Sequence, residues 1–130
     1  MISLSEFIDW HGSQPWQPGT LDCCLCLADW AVAIGHPDPA THLRGRYDDE
    51  AGFRAIIAEA GGVVPVVASC IVKIAGKPLQ QPYLGSIGVI GSPSNIERQW
   101  GAVFDGSRWL IRAQAGFMPL VAPTLAIWSI

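Results

Sequence analysis

The residues of this chain with the most chemical potential fall within five positions: Asp22, Cys23, Cys24 and Cys26. A thiol attacks as thiolate, and a helix N-terminus favours that form because unpaired amides and aligned peptide dipoles stabilise negative charge there. Asp22 is a capping residue type, and the residues that follow it to Ile34 are apolar around almost the whole helical circumference. Cys23 therefore sits one residue after the cap, where a nucleophile would stand. Cys24 and Cys26 fall further around the helix and read as small core residues. Free cysteine is among the most buried residue types, so a purely structural Cys23 is the competing reading.

A nucleophilic thiol needs a base within hydrogen-bond reach and a group to orient that base. The chain has three histidines. His36 lies thirteen residues along the helix that Cys23 begins, and at about 1.5 Å per residue it is roughly 20 Å away. His42 follows the same far end across a short turn. His11 sits in the loop leading into Cys23 and could fold back as an unconventional base, although a solvated or turn-stabilising role also suits a loop histidine. Two other chemistries use the same cysteines. Cys23 and Cys26 have the C-x-x-C spacing of a redox pair, but a Pro/Gly-rich loop, not a strand, precedes them. Zinc would need two more ligands from Cys70 and the histidines, and no second C-x-x-C or H-x-x-x-H pair exists. No metal or cofactor is expected.

The elements that must position these groups can be read from caps and breakers. Ser3 and Glu6 form a capping box for a helix to about Trp10. Gly12, Pro15, Pro18 and Gly19 make residues 11–20 a loop. The buried helix follows from the Asp22 cap to Ile34, ended by Gly35 and the prolines at 37 and 39. A third helix fits residues 48–60, with acids in its first turn and Gly61-Gly62 closing it. A fourth fits residues 65–75, although its valines and isoleucines leave a strand open. Short β-like runs then cover residues 86–90, 100–104, 109–113 and 125–130, with Asp105-Gly106 marking a hairpin. Helices first and antiparallel strands second predict an α+β domain spanning residues 1–130.

Half of the 130 residues are hydrophobic and 15% are charged, against a usual charged share of about 25%. Part of this surface is therefore expected to be covered by a partner. The net charge is −3 and the basic residues are scattered, which argues against nucleic acid as that partner. No membrane span is expected, since Gly116, Pro119 and Pro123 interrupt the uncharged stretch 113–130. The first residues lack the basic start and apolar core of a signal peptide, so synthesis in the cytoplasm is expected. Trp10, Trp16 and Trp30 could frame a cleft or anchor an interface, with core packing the alternative. Arg44 and Arg46 are expected to pair with Asp48, Asp49 or Glu50.

Asp22-Cys23-Cys24-Leu25 resembles the D-C-S-G-L segment of NlpC-type cell-wall peptidases, with Cys23 at the nucleophile position. Residues 85–89 are similar to that family's G-D-L-V-F strand, and residues 100–106 to H-V-G-I-Y-L-G, which begins with the catalytic histidine. More closely, the chain resembles a phage-borne group of small NlpC-like proteins, through W-x-P-G-x-x-D-C-C at residues 16–24 and D-P-A-x-x-L-R-G-R-Y at residues 38–47. The aromatic ending Ile127-Trp128 is similar too. The resemblance implies a papain-like fold, with N-terminal helices packed on a C-terminal antiparallel sheet or small barrel. It also implies a place in the virion tail, among other tail-tip proteins, because members of the group are usually encoded among tail genes. The histidine position holds Trp100 and the orienting position Arg112. Indole accepts no proton, and a guanidinium accepts no hydrogen bond. The expected function is therefore a tail-tip or baseplate component built on an inactive papain-like fold. The alternative is an active cysteine peptidase or amidase on peptidoglycan peptides, with Cys23 as nucleophile and His11 as base.

Overall fold

The computed structural model describes residues 2–130. Four helices precede a six-stranded sheet: α1 (Leu4–Gly12), α2 (Leu25–Ala33), α3 (Glu50–Ala60), α4 (Val63–Ile71), β1 (Lys77–Pro78), β2 (Ile87–Gly91), β3 (Gln99–Phe104), β4 (Trp109–Ala113), β5 (Gly116–Pro119) and β6 (Thr124–Ser129). The sheet is antiparallel in every pairing, in the order β1-β6-β2-β3-β4-β5. Its edges, β1 and β5, do not meet, so it is an open sheet and not a barrel. The α+β expectation holds. Among the described residues no single helix is long and apolar enough to cross a membrane.

Helices α1 and α3 start where a side chain occupies the first amides. Ser3 Oγ accepts from Glu6 N at 3.2 Å, and Glu6 returns to the Ser3 amide, closing the capping box. Asp49 accepts from Gly52 N at 2.7 Å to cap α3, and Gly61 ends it in the left-handed conformation at φ 91°. A 3-10 turn at Val72–Ile74 follows α4, within the reach predicted for that helix. The predicted hairpin joins β3 to β4 through residues 105–108, where Asp105 Oδ1 accepts from the amides of Ser107 and Arg108. Two short edge strands, β1 and β5, were not predicted.

Strand alternation divides the apolar side chains between the two faces of the sheet. Ile87, Val89, Val103, Leu110 and Trp128 pack against α1, α2 and α4 in the main core, with Phe7, Leu27, Trp30 and Val66. Ile90, Ala102, Trp109, Ile111 and Ile127 form a second cluster with Leu79, Phe104 and Leu120. The central helix, α2, buries Leu25, Cys26, Leu27, Ala28, Trp30 and Ala31, in line with its apolar circumference. Trp30 is a core residue whose Nε1–H donates to Gly85 O at 2.9 Å.

Where β3 crosses the start of α2 the sequence places Gly101. A Cβ there would lie 2.8 Å from the Cys23 carbonyl oxygen and 3.0 Å from Leu27 Cδ1. The backbone oxygen cannot yield without disturbing the turn that carries Cys23. Gly101→Ala is therefore expected to destabilise the domain by roughly 1–3 kcal/mol, the usual cost of overpacking. Denaturant unfolding of the variant measures this, and an unchanged midpoint would contradict the packing described.

Candidate functional site

The turn that carries Cys23 is organised by the Asp22 carboxylate, which is fully buried. Oδ1 accepts from the amides of Cys24 at 3.0 Å and Leu25 at 2.9 Å. Oδ2 accepts from Gly19 N at 3.1 Å and Tyr47 Oη at 2.6 Å. Asp22 thus caps α2, as its residue type predicts, and also ties the preceding loop to residue 47. Burial, with Asp22 beside it, pushes the Tyr47 hydroxyl far above the ordinary tyrosine range, so the phenol stays a donor to the carboxylate. Gly19 is required by geometry: at φ 87° a Cβ would fall 1.8 Å from the Tyr47 carbonyl oxygen.

Cys23, 5% exposed, lies at the meeting point of two concavities. One, of about 480 Å³, runs between α3 and the segment before β3, past Phe53, Ile57, Ile96 and Trp100. The other, of about 230 Å³, lies toward β4, between Trp16, Trp100 and Gln114. Cys23, Glu50, Phe53 and Trp100 line both, so they form one groove with Cys23 on the stretch the two parts share. Trp100 and Arg112, which stand where the resemblance would place the base and its orienting group, both border the groove. No histidine lines either part.

The structure corrects the reading of His11 as a loop residue. It occupies the last turn of α1 and is fully buried. Its Nε2 bonds Asp29 Oδ2 at 2.8 Å, and its Nδ1 accepts from Arg112 Nε at 3.1 Å. Because Arg112 can only donate, the ring proton resides on Nε2 and points at Asp29. Arg112 is 1% exposed and spends its other protons on the carbonyls of His11 (3.1 Å), Gln14 (2.6 Å) and Ala113. Asp29 also accepts from Arg44 at 2.6 Å, and Arg44 pairs in turn with Asp38 at 2.7 Å. Charges therefore alternate along a chain from β4 through α1 and α2 to the loop before α3. Arg44 finds Asp29 and Asp38, and not the acids at 48–50 predicted for it. Sequence reasoning missed this network, although Asp29 is the one charged residue in the apolar run of α2 and Arg112 the one in β4. A lone charge in a buried element implies a buried partner.

The remaining cysteines are poor nucleophiles. Cys24 is pushed up by its hydrogen-bonded neighbour Cys23 and by burial, and Cys26 by burial with Asp29 nearby. Burial also raises Cys70. All four are free thiols, and among the described residues no group of three or more His, Cys, Asp or Glu side chains is arranged to hold a metal ion. His42 bonds Ser69 Oγ at 2.9 Å, but Lys73 donates to its Nδ1 at 2.8 Å. Its Nε2 must then carry the proton and face the serine, the reverse of a general base.

Removing one member of a buried charged network leaves its partners uncompensated. His11→Ala is expected to cost about 3–5 kcal/mol in denaturant unfolding. A loss below about 1 kcal/mol would mean that the His11–Arg112–Asp29 contacts are not maintained in solution.

Searches of curated proteins and of solved structures returned no match. A family described as "Domain of unknown function (DUF6950)" matches residues 2–130. With this match running over all the elements described above, the chain belongs to the DUF6950 family.

Proposed function

We propose that this chain is a catalytically inactive, papain-like module that serves as a structural component of a phage tail tip or baseplate, assembled with other tail proteins in the virion. The observation that carries the inactive half of this reading is the commitment of His11. Both of its ring nitrogens are engaged, Nε2 by the half-buried Asp29 and Nδ1 by the buried Arg112, so neither is available to take a proton from Cys23. The groove itself is walled by Trp100, whose indole accepts no proton. A thiol at a helix start with no base keeps the shape of a nucleophile site without its chemistry. The tail assignment rests on the resemblance of residues 16–24 and 38–47 to phage-borne NlpC-like proteins, and on a charge content too low for a wholly solvated surface.

The second reading, a cysteine peptidase or amidase acting on peptidoglycan peptides, is favoured by one feature. Cys23 lies on the stretch that the two parts of the groove share, where a scissile bond would pass. Thiol chemistry separates the two. In the folded protein, the alkylation rate of each cysteine against pH should show Cys23 no faster than Cys70, with no midpoint well below the free-thiol value of about 8.5. Rapid modification of Cys23 alone, with a depressed midpoint, would overturn the inactive reading and turn attention to a base supplied by a partner.

A further inference from the structure

Two half-buried tryptophans in the groove have binding capacity that the fold does not use. Trp30, in the core, commits its indole N–H to a carbonyl. Among the described residues, the N–H groups of Trp16 and Trp100 donate to no protein group, and neither indole packs against another ring. Among the described residues no buried side-chain donor lacks a partner, so both N–H groups reach solvent and are free to donate to a ligand that enters the groove. Both line the smaller concavity, together with the exposed side chains of Glu50 and Gln114 and with Phe53 at its side.

We infer that this concavity is a saccharide-binding site, with Trp16 and Trp100 as its walls and Glu50 and Gln114 as its polar rim. The chemistry of the lining selects the ligand. An indole N–H only donates and a carboxylate only accepts, whereas a hydroxyl does both. A ligand carrying several hydroxyls therefore satisfies the two indoles and Glu50 at once, and Gln114 can serve as either partner. Aromatic faces match a ring whose C–H groups form a flat apolar surface, and a pyranose combines that surface with a hydroxyl edge. The volume, about 230 Å³, lies below the roughly 300–1,000 Å³ of pockets for drug-sized ligands, which suits a single ring. The larger concavity beyond Cys23 leaves room for the saccharide to continue. This reading is independent of whether Cys23 is reactive, because none of the contacts invoked involves the thiol.

The test is a titration of uniformly ¹⁵N-labelled protein with cellotriose and with triacetylchitotriose, following the indole N–H resonances. Tryptophan-to-phenylalanine variants assign them. The probes run to roughly 10 mM, tenfold above a Kd of about 1 mM. The expected result is a saturable shift of the Trp16 and Trp100 resonances while those of buried Trp30 and Trp128 stay in place. The double variant Glu50→Ala/Gln114→Ala changes two exposed side chains, and its unfolding midpoint should match that of the parent. Its affinity should fall at least tenfold. Silence with both saccharides overturns the inference, as does a double variant that binds as well as the parent. A neutral peptide, trialanine, is titrated alongside. If it moves the same two indoles as strongly as the saccharides do, the site is a peptide groove and the saccharide assignment fails.

Discussion

A carboxylate removed from water survives as an anion only when its lone pairs are occupied, and Asp22 has four donors for its four acceptor sites. Each donor comes with a structural demand. The two amides of α2 fix where the central helix begins. The Gly19 amide draws in the loop from α1, and only glycine can present it there. The Tyr47 hydroxyl anchors the segment that leads into α3. From this one group follow the position of Cys23, the line of α2 beneath the sheet, and the close approach of β3 at Gly101.

The second constraint is ionic, and it joins what Asp22 does not. Arg112 reaches from β4 to the end of α1, holding the His11 carbonyl, the Gln14 carbonyl just beyond the helix and the His11 ring, while Asp29 holds the other side of that ring. An imidazole fixed between a cation and an anion is polarised along that axis, with its proton toward the carboxylate. The arrangement turns a histidine, an aspartate and an arginine toward one another, joining helix to strand. Residues 23, 100 and 112 gather around one groove, and no histidine lines it.

Local signals in the sequence account for most of the backbone. The Ser3 and Asp49 caps, the Asp22 cap, the Gly61 stop and the Asp105-Gly106 hairpin all act within four residues, so they can be read from one chain. What could not be read depends on distance. β1 has two residues and includes a proline, and β5 lies between Gly116 and Pro119; each is a strand only because a neighbour offers it a register. His11 looked like a loop residue because Gly12 follows it, yet glycine is tolerated as the last residue of a helix. Its partners stand 18 and 101 positions away. Within the groove, Cys23, Trp16 and Trp100 were visible as chemistry, whereas Glu50 and Gln114 came to it only through folding.

The position of β6 governs how the molecule can be made. The strand latest in the sequence does not lie at an edge; it is inserted between β1 and β2, pairing with both. Until residues 124–129 have left the ribosome, β2 lacks a neighbour on one side, β1 has none, and Trp128 is missing from the main core. The helices made earlier must wait with their apolar faces uncovered, since separations of more than 100 residues close their network to the sheet. Such non-local closure makes folding slow relative to helical bundles of the same size, and it leaves a nascent chain in need of shielding from aggregation until synthesis has passed β6.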